Sequence, residues 1–107
     1  MRGYLYTSVE NMVFTPYNKE EGYMPTISTF YGIRIVMYQT DKEHNPPHIH
    51  AIYGEHNASF LISNGELLKG TFPSRASRMV KEFILKYQNE LLEMWNSSLF
   101  VELPGLE

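Results

Sequence analysis

Apolar residues change their spacing along this chain. From residue 24 to residue 72 they alternate with polar ones in short runs, and from Ala76 to Trp95 they return at intervals of three and four. The first spacing suits strands and the second an amphipathic helix. Residues 25–30 (PTISTF) read as a short strand and Tyr31-Gly32 as a tight turn. In 33–38 (IRIVMY), Ile33, Ile35 and Met37 fall on one face and Arg34, Val36 and Tyr38 on the other. Residues 39–47 are polar and end in Pro46-Pro47, which lack the N–H that a ladder needs. An extended pattern resumes over His48–Tyr53, Gly54-Glu55-His56-Asn57 reads as a hairpin loop, and 58–63 as the returning strand. Asn64-Gly65 is the strongest short hairpin signal, because both residues tolerate positive φ. Residues 66–72 then form the last strand of a meander.

Pro73-Ser74 marks the start of a helix, with Ser74 as its N-cap. Ala76, Met79, Val80, Phe83, Ile84, Tyr87, Leu91, Met94 and Trp95 form its apolar stripe. Opposite charges stand four apart along the flank, at Arg78–Glu82, Glu82–Lys86 and Lys86–Glu90. Asn96-Ser97-Ser98 ends the helix, and residues 99–107 are a tail with Pro104 and Gly105. A small antiparallel meander of about four to five strands, followed by one long C-terminal amphipathic helix, lays that helix across one sheet face. The expected fold class is α+β, in a single domain over residues 24–98.

Residues 1–23 show neither period and end in the polar run YNKEEGY. Lys19-Glu20-Glu21-Gly22 is encoded by purine-rich codons compatible with a ribosome-binding site ahead of Met24. The expectation is therefore that Met24 is the natural start and 1–23 an added leader. The alternative is a true extension that contributes a strand near residues 4–9.

Composition narrows the chemistry. A chain of 107 residues has room for one domain and one core. The absence of cysteine removes disulfides, a thiolate nucleophile and cysteine-ligated zinc or iron–sulfur sites. No apolar run approaches a membrane span and the N-terminus lacks a signal-peptide pattern, so a cytoplasmic protein without membrane partners is expected. The net charge is −3, yet residues 66–86 carry five cations and two carboxylates, a local +3. Such a patch suits either a solvated helix face or contact with phosphate or an acidic partner.

Candidate chemistry centres on HNPPHIH at residues 44–50, which holds three of the four histidines. Alternation puts His48, His50 and Ile52 on one strand face, with the two histidine backbones roughly 6–7 Å apart. Histidine titrates near neutrality and acts as acid and base. As a catalytic pair, His48 and His50 suit metal-free RNA cleavage, with Arg34, Arg75 or Arg78 steadying the phosphate. As a metal site the pair is incomplete, because zinc takes three or four ligands. His44, Glu43 or Asp41 would have to fold back to complete it. No cofactor is expected otherwise, and a divalent transition metal belongs only to this reading. A structural or protein-binding role for the histidines is the remaining reading, and His56 is expected to be exposed in its loop. The start SRASR at 74–78, with free backbone N–H groups and two arginines, is a weak phosphate-binding signal.

MPTIS-x-x-YGIRI at 24–35, NPPHIH-x-x-YG at 45–54, GELLKG and the helix ending ELLEMW together resemble the bacterial domain-of-unknown-function family 4160. The resemblance covers about residues 24–95. Its motif residues here are Pro46, Pro47, His48, His50, Tyr53 and Gly54, a site of unassigned chemistry. Family members are small bacterial proteins often encoded beside a family 2442 protein, in suspected toxin–antitoxin pairs. The resemblance therefore implies a two-gene module and a small cognate partner protein. More distantly, the parts are similar to HicA-type toxins, which cleave RNA with a histidine; this is a fold-level analogy alone. An exposed meander edge is a further place for a partner strand or a second copy.

Overall fold

A computed structural model describes residues 24–38 and 46–107. The expectations for residues 1–23, and for Asp41, Glu43 and His44, lie outside the described residues. Five strands run in sequence order across one antiparallel sheet: β1 (Thr26–Phe30), β2 (Ile33–Val36), β3 (His48–Tyr53), β4 (His56–Leu61) and β5 (Leu67–Gly70). Two helices follow, α1 (Ser74–Lys86) and α2 (Gln88–Ser97). The α+β meander expected from the pattern is the fold observed.

Turn chemistry sets the registers. Phe30 pairs with Ile33, so β1 and β2 are joined by Tyr31 and Gly32 alone. Both have positive φ, 50° and 80°, the requirement of a type I′ hairpin. Tyr53 pairs with His56, so the next hairpin loop is only Gly54-Glu55, with Gly54 at φ 60°. His56 is therefore the first residue of β4, half-buried with its ring 6.4 Å from Phe72, and not a loop residue. The longer loop signalled by Asn57 fails because the glycine closes the turn two residues earlier. At the β4–β5 turn the Asn64 Oδ1 accepts from Glu66 N at 2.9 Å. A Cβ on Gly65 would lie 2.7 Å from Lys81 Cγ and 3.1 Å from its Cα, so glycine there lets α1 close on the turn.

Residues opposite one another in antiparallel strands share a face. Ile35, Ala51 and Ala58 form one row and Ile49 faces Phe60 in the next, all buried. Onto this face pack Ala76, Val80, Phe83 and Ile84 of α1 and Leu91, Met94 and Trp95 of α2. The Phe30 and Phe83 rings stack at 5.0 Å. Each fully buried Ile or Phe here contributes roughly 1.5–3 kcal/mol.

The helical stripe is divided by one residue. Tyr87 leaves helical geometry at φ −116° and ψ 30°, although it still donates to Phe83 O (3.1 Å) and accepts from Leu91 N (2.9 Å). Next to it, Gln88 Nε2 donates to Ile62 O (2.8 Å) and Ser63 O (2.6 Å), tying the bend to the β4–β5 turn. The cap of α1 is Pro73 and not Ser74, which is the first helical residue. Proline supplies a suitable φ but no side-chain acceptor, so the helix start has no side-chain cap. Among the described residues the charges spaced four apart on the helix do not pair; instead Lys81 meets Glu66 across the turn at 2.6 Å.

The sheet's two edges differ. Ser98, in a left-handed conformation at φ 61°, turns the chain out of α2. Residues 99–107, set apart as a tail by the pattern, then run along β1. Leu103 N donates to Ile27 O at 2.8 Å and Tyr31 N donates to Glu107 Oε2 at 2.5 Å. Phe100 and Leu103 are buried in the core cluster. A Cβ on Gly105 would lie 2.7 Å from Phe30 Cβ and 2.9 Å from Thr29 O, a measure of how closely the segment sits. Ser28, in the same strand, is buried with its hydroxyl unpartnered among the described residues. At the opposite edge all four residues of β5 are exposed, Leu67 at 45% and Leu68 at 42%.

Candidate functional site

Two prolines bring the chain into β3, and their carbonyls explain their place. Neither proline donates, but both accept: Pro46 O from His48 Nδ1 at 2.8 Å, and Pro47 O from Ile62 N at 3.0 Å. A carbonyl only accepts, so the His48 Nδ1–H is the donor of this bond. His48 is 5% exposed, and its ring lies 5.1 Å from the Trp95 ring at the end of α2. Strict alternation would turn His48 away from the helices. As the first residue of β3 it sits at the end of the ladder, where Trp95 reaches it.

His50 follows on the same strand face, its ring 5.0 Å from that of His48 and 4.2 Å from that of Tyr38. The two histidines are therefore brought together as expected, inside an aromatic file of Tyr38, His50, His48 and Trp95. Of the expected cations, Arg34 shares their face: it pairs with Ile52 while Val36 pairs with His50. Its Nε donates to Thr26 Oγ1 at 3.0 Å. Arg75 and Arg78 are not part of this cluster. They open α1, which packs on the other face, and Arg75 stands beside Tyr53, the far end of β3. Five residue steps of strand separate Tyr53 from His48, roughly 17 Å. Among the described residues no group of three or more His, Asp or Glu is placed to hold a metal ion.

The motif Pro-Pro-His-Ile-His-x-x-Tyr-Gly thus spans β3 from end to end, and its Tyr53 belongs to a different place. A cleft of about 530 Å³ opens there, lined by Tyr31, Tyr53, Pro73, Arg75, Ala76 and Met79. Tyr31 is 55% exposed and Tyr53 37%. The Tyr53 ring crosses Gly32, where a Cβ would be 3.4 Å from Cε1, and lies 6.2 Å from Phe72. Sequence reasoning missed this cleft, since it forms only when two hairpin turns meet the start of α1. One signal was present: a tyrosine in a two-residue hairpin turn where asparagine or glycine is favoured.

No helix among the described residues is long and apolar enough to cross a membrane. The profile of a family described as a domain of unknown function (DUF4160) matches residues 32–96. No curated protein and no solved structure matches the chain significantly.

Proposed function

The chain belongs to the DUF4160 family, and on that footing we propose that it is a cytoplasmic component of a bacterial toxin–antitoxin-like two-gene module, binding a small cognate protein. The observation that carries this reading is the contrast between the sheet edges. The β1 edge is occupied by the chain's own residues 99–107, while β5 is exposed along its whole length with two leucines in solvent. An open edge strand is a template for an incoming strand, whose main-chain hydrogen bonds supply affinity and whose side chains supply choice. Leu67 and Leu68 give that strand apolar surface. Lys69 and the nearby cations of residues 66–86 favour an acidic one.

Co-expression with the tagged product of the neighbouring gene tests this. The wild-type chain is expected to co-purify, and the double variant Leu67→Lys, Leu68→Lys to lose most of that yield with its melting temperature preserved. Failure to co-purify, or equal capture of the double variant, overturns the reading. Light scattering of the chain alone separates a partner from a second copy at this edge.

Metal-independent RNA cleavage by His48 and His50 has one observation in its favour. The two imidazole rings lie 5.0 Å apart, close enough to act on one phosphodiester. A phosphodiester must reach both rings, however, and His48 is only 5% exposed. Partner binding is therefore the better supported reading. Growth arrest on expression alone, relieved by His48→Ala or His50→Ala, would reverse that order.

A further inference from the structure

The cleft at the Tyr53 end of β3 is built at some expense to the fold. Tyr31 occupies a left-handed position, φ 50°, which disfavours bulky residues, yet more than half of the residue stays exposed. A backbone outlier that leaves an aromatic in solvent points to use of that ring. Tyr53 is fixed from behind by Gly32 and Phe72, so its exposed surface is preset. Arg75 is the charged residue of the lining, exposed and unpaired by a carboxylate among the described residues. The Glu107 carboxylate is held by the Tyr31 N–H and is not part of the lining. Pro73, Ala76 and Met79 make the rest of the wall apolar.

We propose that this cleft binds a nucleoside phosphate, with the base against the Tyr31 and Tyr53 rings and the phosphate on Arg75. Its size, about 530 Å³, lies within the range of small-ligand sites. Aromatic surface recognises the face of any base, and a guanidinium matches phosphate with paired donors. Among the described residues of the lining the charge complementarity is one-sided, a single cation in an apolar, aromatic wall, which suits one phosphate attached to one flat ring. The ligand is either a free nucleotide or one unit of a single strand. The site is separate from the β5 edge and does not depend on the histidines.

Isothermal titration calorimetry of the full chain tests this with the four nucleoside 5′-monophosphates and a ten-nucleotide oligodeoxyadenylate. At least one probe is expected to bind below millimolar. Tyr31→Asn should weaken binding about tenfold, within the stacking contribution of one base, and Arg75→Gln about tenfold through loss of the charged contact to phosphate. Asparagine suits the left-handed turn, so Tyr31→Asn should keep or raise the melting temperature, which separates lost binding from lost folding. Adenosine and ribose 5-phosphate, each lacking one half of the ligand, should bind about tenfold more weakly than the intact nucleotide. A tighter oligomer assigns the site to a strand; an equally tight mononucleotide assigns it to a free nucleotide. Absence of binding by every probe up to millimolar, or binding unchanged by both substitutions, overturns the proposal. Capture of the cognate protein by Tyr31→Asn at wild-type yield would show that the two sites stand or fall separately.

Discussion

Along β1 the chain's own residues 99–107 lie against the sheet edge, whereas among the described residues no strand pairs with the outer side of β5, whose four residues are exposed. Both are edge strands of one meander, and an unprotected edge invites pairing with another chain. The protection at β1 is specific: a backbone hydrogen bond from Leu103 to Ile27, a buried Phe100, and a glycine where a Cβ would strike Phe30. At β5 the surface carries Leu67 and Leu68, with Lys69 as the one charge on the strand. A fold that covers one edge with its own chain and leaves apolar residues on the other directs association to a single side.

Substitutions can remove this asymmetry in graded steps. Phe100→Ala should have the largest effect, because it empties the anchor of the covering segment; about 3–5 kcal/mol of stability should be lost in denaturant titration. The exposed β1 edge should then show as concentration-dependent association in sedimentation. Gly105→Val should act at the same place more mildly, by about 1–3 kcal/mol from overpacking against Phe30 and the Thr29 carbonyl. His48→Ala tests the packing on the side away from the edges. Loss of its bond to Pro46 and of the Trp95 contact should destabilise by about 1–2 kcal/mol. A neutral result would mean that this histidine is kept for chemistry. Smallest of all, Ser28→Ala removes a buried hydroxyl with no partner, and should be neutral or stabilising by up to about 1 kcal/mol.

Much of this fold was legible in the chain's pattern, and the misses have identifiable causes. Every residue of the stripe from Ala76 to Trp95 is buried or packed on the core, because the 3.6-residue period is a direct readout of one helix face. The bend at Tyr87 was not legible, since beside it Gln88 reaches the carbonyls of Ile62 and Ser63, 26 and 25 residues earlier in the chain. Alternation put His48 and His50 on one face, where their rings do meet, and the residues between and after them, Ile49 and Ala51, are buried in the core. It could not show that His48 would be tied to Pro46 and closed over by Trp95, a contact between the first residue of one strand and the end of the last helix. Composition marked 99–107 as a tail because proline and glycine interrupt it, yet Phe100 and Leu103 lock it down. The expected cations divide for the same reason: Arg34 alternates onto the histidine face, while Arg75 and Arg78 ride on a helix whose position depends on the whole sheet.

Backbone amide hydrogen exchange, measured on the chain alone and with the neighbouring gene's product bound, tests the central contrast most directly. Exchange in β1 and at Leu103 should be slow in both states. The amides of β5 that point away from β4 should exchange fast alone and become protected in the complex. Unchanged exchange in β5 with new protection elsewhere would contradict the assignment of that edge as the docking site.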